Sequence, residues 1–481
     1  MSGIFSSLVS TYLPEFILVI FIVINLIASL FFNTSLYKMS KWITLLGIVL
    51  ALCSTIYLQI EPETVAFGGA FLTNIYTIFF KLLILVCGFF LTLLSRNMIR
   101  EKRDRAFEYF SVFLSGLLFA MCTVSTTDFL SLFLTIEALS LSCYLLLSFN
   151  KGSNAKQLTF GYLVQSVVVS SFFLFGLSMI YGLSSSVSFD GISTFFLNSQ
   201  SQPQLILTFS FILLICTFLF KLGIVPFSSW LADTFQGANA PICAYMSCVP
   251  VLACFGIFPK ILMLFMGYTF TIKIILAFLS VVTILLSSLS AIRQDNLKRL
   301  MAYSMSIQSG IMLLGLCVFS VYSLSGVLFY LFCYIFANIG IWCGITLLSD
   351  SGKIENIDGL IGLIYHRPYF VISLSFVLIA LAGLAPTSGF VAKLYIFSAV
   401  ARSGFIFLPF LLVALVSTVI AIYAYWRIIR GMFRRVKTDI IVDTNIISSK
   451  FILYACCCAT VFISVFADKL IRLCQLAAYY M

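Results

Sequence analysis

The sequence predicts an all-α polytopic membrane protein made of one membrane domain. Three observations lead there. Of its 481 residues, 62% are hydrophobic and only 9% charged, and the mean hydropathy is +1.14. That composition excludes a soluble domain. The apolar residues fall into long runs, and at ~20 residues per span plus short loops the length accommodates about fourteen transmembrane helices. One of those runs ends on a lysine beside a helix break, in LILTFSFILLICTFLFKLGIVPFSSWLADTFQGANAP, residues 205–241.

The runs place spans at 12–32, 42–60, 72–95, 107–124, 127–149, 157–183, 205–222, 238–265, 271–291, 297–317, 322–349, 369–399, 404–426 and 451–474. The first is a retained helix, because the opening residues lack a basic n-region and a small-residue cleavage site. The fifth carries Glu137, about ten residues from either end. After the sixth comes the longest loop, Ser184 to Gln204, polar and serine-rich. The seventh is charge-free from Leu205 to Phe220, meets Lys221, breaks at Gly223 and Pro226, and resumes around Ser228 to Phe235. The eighth holds Pro259 and Lys260 near its end. The twelfth is interrupted at Gly383, Pro386 and Gly389 shortly before Lys393. In the last, Cys456, Cys457 and Cys458 lie in an apolar run and read as small embedded residues.

Charge placement tests this count. Twenty of the 28 Lys and Arg fall on one side of a fourteen-span arrangement; only Lys273, Arg402, Lys469 and Arg472 fall on the other. By the positive-inside rule both termini then face the outer side. The net charge of +11 therefore reports membrane orientation, and nucleic acid is not an expected partner. No CxxC pair is present among the fifteen cysteines and there is a single histidine, His366, so a cluster, zinc or haem site is not expected.

The remaining basic residues, Lys81, Lys221, Lys260 and Lys393, lie within apolar runs. A charge at the bilayer centre costs about 2.5–3.5 kcal/mol, so an intramembrane Lys is a functional candidate. The bland alternative is snorkelling from a helix end. It suits Lys81, within two turns of an interface, and competes evenly at Lys260. It suits Lys221 and Lys393 less, since Lys393 has apolar residues on both sides. Glu137 is the one carboxylate near the centre of a run. It is either a protonated, serine-bonded packing residue or a titratable relay group. Glu15, Glu108 and Asp128 lie near helix ends, where water reaches them. Two interrupted spans, each with a Lys and 172 positions apart, point to a repeat-built transporter with its chemistry at the breaks. Lysine can release and regain a proton once desolvated, which arginine cannot.

Several motifs resemble a known family. They are LFLTIEALSL around Glu137, FKLGIVPFSSWLAD from Phe220, FQGANAP from Phe235, AIRQDNLKRLMAYSMSIQSG from Ala291, YHRP from Tyr365 and LAGLAPTSGFVAKLYIF from Leu381. In order and spacing these are similar to the antiporter-like membrane subunits of complex I, the proton-translocating NADH:quinone oxidoreductase. FQGANAP favours the branch of subunit N and its mitochondrial counterpart, subunit 2. The resemblance covers roughly residues 100–430.

The resemblance implies two inverted five-helix repeats with broken helices 7 and 12. Residues 1–98 would form helices 1–3, 99–265 the first repeat, 266–436 the second and 437–481 helix 14. It implies a proton relay through Glu137, Lys221 and Lys393, with Lys260 as a further basic position. No cofactor is expected in this chain. NADH, FMN, iron–sulfur clusters and quinone would belong to partner subunits, and the neighbours would be other membrane subunits of the complex, antiporter-like ones above all. The membrane would be a bacterial inner membrane or, alternatively, an organellar inner one. Three positions depart from the family pattern: Ser228 replaces a usual His, Gly161 a usual Lys, and Val251 the usual central Lys. A cation/proton antiporter subunit and a non-conducting structural subunit are the competing readings. The first is disfavoured because a hard cation wants several oxygen ligands.

Overall fold

Lipid offers the backbone no hydrogen-bond partner, so an apolar run in a membrane satisfies its N–H and C=O groups by becoming a helix. The computed structural model describes residues 12–31, 37–58, 64–95, 105–149, 155–198, 204–265, 269–352, 355–435 and 447–481. Its helices are α1 (Leu13–Phe31), α2 (Tyr37–Tyr57), α3 (Ile75–Leu94), α4 (Ala106–Ser125), α5 (Phe129–Ser148), α6 (Ala155–Ser184), α7 (Phe189–Asn198), α8 (Gln204–Leu222), α9 (Ser229–Gly237), α10 (Ala240–Leu264), α11 (Thr269–Ile292), α12 (Leu297–Val318), α13 (Val321–Gly352), α14 (Leu363–His366), α15 (Pro368–Ala382), α16 (Ser388–Arg402), α17 (Leu408–Phe433), α18 (Ile447–Val465) and α19 (Ala467–Tyr479). The fold is that of an all-α polytopic membrane protein. Among the described residues, 12 helices are long and apolar enough to cross a membrane, or 13 if α18 and α19, bent by 83°, count as one span. The fourteenth expected span requires α15 and α16 to act together, since each has only 15 residues, about 22 Å of helix. Of the basic residues behind the side-to-side bias, Arg96, Arg100, Lys102, Arg103, Lys151, Lys353 and Lys437 lie outside the described residues.

Two elements differ from the sequence reading. The polar stretch after α6 is not all loop: Phe189–Asn198 is helical, with Ile192 fully buried. Its apolar residues are spaced three and four apart, a pattern too short to stand out in a serine-rich setting. Residues 199–203 of that stretch lie outside the described residues. Between α2 and α3 a small antiparallel hairpin forms from β1 (Thr64–Ala66) and β2 (Phe71–Thr73), with Val65 opposite Leu72.

The chain divides into two units. The first comprises Met1–Lys221, Val249–Ile272 and Tyr480–Met481. Here α1 packs on α2 and α4, α2 on α3, α4 on α5, and α5 on α6. Asn74 sets where α3 begins: its side chain accepts from Thr77 N at 3.0 Å, and the Thr77 hydroxyl accepts from Asn74 N at 2.9 Å. That reciprocal capping satisfies two otherwise orphaned backbone donors. Asp128 caps α5, accepting from Ser131 N at 2.6 Å.

The second unit comprises Leu222–Cys248 and Lys273–Tyr479. Its axis is α13, which packs against α12, α15, α16, α18 and α19. A helix apolar all round has to be buried all round, and Phe329, Leu331 and Trp342 are fully so. Asn296 caps α12 by accepting from Lys298 N at 3.0 Å and Arg299 N at 3.2 Å.

Helical bonding stops twice at a Gly-x-x-Pro step. After α8, Gly223 takes φ 64°; after α15, Gly383 takes φ 77°. Both are left-handed values that favour glycine. The third residue on is a proline with a cis peptide bond in each case, Val225–Pro226 and Ala385–Pro386. Past the second break, α16 folds back close to α15: a Cβ on Gly389 would lie 1.9 Å from the Ala380 carbonyl oxygen.

Candidate functional site

Lys221 is the penultimate residue of α8 and only 2% exposed. A buried ammonium needs acceptors. Its Nζ donates to the Ser140 hydroxyl of α5 and to the Tyr162 hydroxyl of α6 at 3.2 Å. It also stands 5.4 Å from the Tyr162 ring centre. Glu137 lies one helical turn before Ser140 on α5, so the two share a face. Its Oε1 accepts from the Ser170 hydroxyl of α6, which also reaches the Ser166 carbonyl at 2.9 Å. Glu137 is half-buried. No direct ion pair joins it to Lys221; the lysine's link to α5 is Ser140.

Lys260 and Lys81 both turn inward, which corrects the snorkelling reading of Lys81 and decides against that alternative at Lys260. Lys260 is 9% exposed and donates to the Val124 carbonyl at 2.7 Å, with the Tyr76 ring centre 5.8 Å away. Lys81 is fully buried and pairs with Glu15 at 2.7 Å. Glu15, expected near water, has a side chain only 8% exposed. Snorkelling lowers the energy of a lone lysine; a carboxylate on another helix offers a better partner, and nothing local in the sequence marks that pairing.

Lys393, on α16, is 6% exposed. Its Nζ donates to the carbonyls of Leu381 at 3.1 Å and Ala382 at 2.8 Å. These are the carbonyls orphaned where α15 stops, so the lysine caps the break that exposes them. The amide of Gln308 on α12 shares the Leu381 carbonyl at 3.2 Å and reaches the Tyr425 hydroxyl at 3.2 Å. Tyr330 donates to the Gln308 carbonyl oxygen, and Ser304 bonds Tyr425 at 2.6 Å. A buried polar chain thus runs from Lys393 through Gln308 to Tyr330, Tyr425 and Ser304.

The three positions that depart from the family pattern sit differently. Val251 is fully buried. A Cβ at Gly161 meets nothing within 4 Å, and Ser228 is half-buried at the turn before α9. The Ser247 hydroxyl, one turn before Val251, donates to the Ala244 carbonyl at 3.0 Å and accepts from Asn338 at 2.7 Å.

Sequence reasoning missed Ser140, Tyr162, Glu15, Gln308, Tyr330 and Tyr425. Ser140 carried a weak signal, three residues after Glu137. The others are hydroxyl or amide side chains in apolar runs, common enough to carry none. Lys298 is 7% exposed; it donates to the Ala238 carbonyl at 3.2 Å and pairs with Glu355 at 3.5 Å. It ties the NLKRL motif to the FQGANAP motif.

Residues 126–421 match the family model described as NADH:quinone oxidoreductase/Mrp antiporter, TM. The chain belongs to this family. It is 30% identical over 427 residues to NADH-quinone oxidoreductase subunit N of Ruthia magnifica, covering 88% of each chain. It is 29% identical to subunit N of Rhodospirillum rubrum, covering 88% of this chain and 87% of that one. The fold matches a chain of respiratory complex I from Thermus thermophilus with TM-score 0.80 and 22% identity, over 95% of this chain and 98% of that chain. It matches a chain of the Mrp complex from Dietzia with TM-score 0.84 and 18% identity, over 98% of this chain and 96% of that chain. The antiporter-family match spans Glu137, Lys221, Lys260 and Lys393, and leaves Glu15 and Lys81 outside.

Proposed function

We propose that this chain is the subunit N-type proton-translocating membrane subunit of an NADH:quinone oxidoreductase, multi-pass in a bacterial inner membrane. The observation that carries the reading is Lys221: a family lysine buried at a helix break, held by hydroxyls on the helices that bear Glu137 and its serine partner. In the first unit Glu137 takes up a proton and passes it on to Lys221, which the hydroxyls of Ser140 and Tyr162 hold in place. In the second unit Lys393 plays the corresponding part, with Gln308, Tyr330 and Tyr425 as its polar wall. Each lysine stores and releases one proton; the carbonyls and hydroxyls around it favour the ammonium, and burial disfavours it. We read residues 99–265 and 266–436 as two repeats, each with its own broken span, and Lys260 as a secondary relay group.

Moving one proton against 100 mV takes about 2.3 kcal/mol. The energy comes from partner subunits, which hold FMN, iron–sulfur clusters and the quinone site and oxidise NADH. Neighbouring antiporter-like subunits and lipid surround this one. A sodium or potassium exchanger is the less supported reading, because an ammonium occupies the place where a hard cation would need several oxygens.

The test is reconstitution of the complex containing this chain. NADH oxidation with quinone should acidify the vesicle interior. The purified chain with NADH and quinone should give no oxidation; turnover by the chain alone overturns the reading.

A further inference from the structure

The C-terminal end of α17 carries an arginine-lined cavity that the proton path does not use. The helix closes on RIIRGMFRR, residues 427–435. Beside it lies the short 3₁₀ turn Ile357–Leu360, and between them opens a cavity of about 640 Å³. Arg427, Arg430 and Arg434 line it from the helix; Ile357, Asp358 and Ile361 line it from the turn. Steps of three and four residues bring the arginines to one side of the helix. Gly431 lies among them. A Cβ there would come within 3.7 Å of the Ile357 side chain, so the missing side chain keeps the cavity open. All these residues belong to the second unit.

The charges divide into used and unused. Arg427 donates to the Ile292 carbonyl at 2.5 Å, to the Gln294 carbonyl, and to the Asp295 carboxylate at 2.9 Å. It is thereby neutralised and fixed to the turn between α11 and α12. Arg430 and Arg434 are exposed, and neither guanidinium has an ion-pair partner among the described residues. These two guanidiniums and the Asp358 carboxylate leave the cavity one positive charge in excess.

An apolar stripe on α17 leads into the same cavity. Leu412, Val416, Val419, Tyr423 and Trp426 are each more than half exposed. Steps of four, three, four and three residues put them on one helix face. From Leu412 to Trp426 the stripe is about 21 Å long, more than the ~15 Å of hydrocarbon in one leaflet. Trp426 belongs both to the stripe and to the cavity lining, and tryptophan favours the membrane–water interface. The basic-residue bias places this end of α17 on the inner side. A charged site at the interface joined to an apolar track has the outline of a lipid.

We propose that the cavity binds one anionic phospholipid of the cytoplasmic leaflet, a phosphodiester with a hydroxylated headgroup such as phosphatidylglycerol. The phosphate takes the guanidiniums of Arg430 and Arg434, charge-assisted contacts to which the arginine fork is suited. The headgroup hydroxyls donate to Asp358, and an acyl chain lies along the stripe past Trp426. One phosphodiester charge cancels the excess positive charge of the cavity, whereas a zwitterionic lipid leaves it. Basic pockets at the cytoplasmic side of membrane helices suit such headgroups, and the anchored Arg427 gives this one a fixed wall. The proposal rests on the orientation set by the basic loops and is independent of the proton path.

The test is photolabelling of the assembled complex, purified in detergent, with phosphatidylglycerol bearing a diazirine in its acyl chain, read by mass spectrometry of the labelled peptides. Residues 412–426 of this chain should be labelled. Unlabelled phosphatidylglycerol should compete; phosphatidylethanolamine and soluble glycerol 3-phosphate at the same concentration should not. Arg430→Gln/Arg434→Gln should lower the labelling about ten-fold or more at parent levels of assembly, and Arg430→Lys/Arg434→Lys should retain most of it. Gly431→Leu fills the cavity with the charges in place and should lower it as far, which keeps the test decisive should the double variant fail to assemble. Asp358→Asn should keep the parent labelling, since a carboxamide still accepts from a hydroxyl. Lost labelling in that variant, with competition by phosphatidylethanolamine, shows a zwitterionic occupant and overturns the assignment. Competition by glycerol 3-phosphate as strong as by the lipid makes this a site for a soluble anion and overturns it too. An unlabelled stripe in the parent means that a neighbouring subunit covers it. Labelling unchanged in either cavity variant means loosely held lipid. Both results overturn the proposal.

Discussion

The ammonium of Lys221 donates to the hydroxyl of Ser140, one turn beyond Glu137 on the same helix. The lysine is thus tied by a hydroxyl to the helix that bears the glutamate, and that hydroxyl in turn donates to the Ile136 carbonyl at 2.8 Å.

Ser140→Ala leaves Lys221 its hydrogen bond to the Tyr162 hydroxyl. Loss of one hydrogen bond to a charged group is worth about 1.5–3 kcal/mol. Pumping-coupled turnover should fall about ten- to hundred-fold, and Ser140→Thr should retain most of it. The measurement is NADH-driven acidification per NADH oxidised, at matched amounts of assembled complex.

Lys393 separates charge from titration. Arginine keeps the charge and can still cap the Leu381 and Ala382 carbonyls, yet it does not release a proton. Lys393→Arg should assemble and pump poorly. Lys393→Ala should assemble with a similar pumping defect and lower stability, because the Ala382 carbonyl is left uncapped, at about 1–3 kcal/mol. Native-gel abundance and proton-to-electron ratio read the two effects apart.

Much of this was legible in the sequence, and the dividing line is physical. Spans were found because periodicity and length speak for themselves over twenty apolar residues. The breaks at Gly223 and Gly383 were legible because glycine and proline have fixed backbone consequences. Glu137, Lys221 and Lys393 stood out as charges in apolar runs. The partners of those charges were not legible. Glu15 meets Lys81 across 66 positions of sequence, and Gln308 meets Leu381 across 73. Such pairings are set by tertiary packing, and serine, tyrosine and glutamine are too common in these helices to announce a role.

Gly389 should be intolerant of any side chain. A Cβ there meets a backbone carbonyl rather than a flexible side chain, so α15 and α16 would have to separate. Gly389→Ala should destabilise by more than about 3 kcal/mol, seen as lost assembly or a lower melting temperature. Gly161→Ala, with open space around it, should stay within about 0.5 kcal/mol of the parent.

The two missing family lysines should respond differently to restoration. Gly161→Lys has room and a half-buried setting, so it should assemble normally. Val251→Lys buries an unpaired charge in a fully buried position, which costs about 3–5 kcal/mol, and assembly should drop sharply. Immunoblots of the membrane-bound complex decide both.

The central claim is that protons pass through Glu137 to Lys221. It is tested most directly by the proton-to-electron ratio of the complex carrying Glu137→Gln, a change that keeps shape and removes titration. The account predicts a lower ratio together with slower quinone reduction, in complex assembled to the parent level. A normal ratio at normal turnover would contradict it.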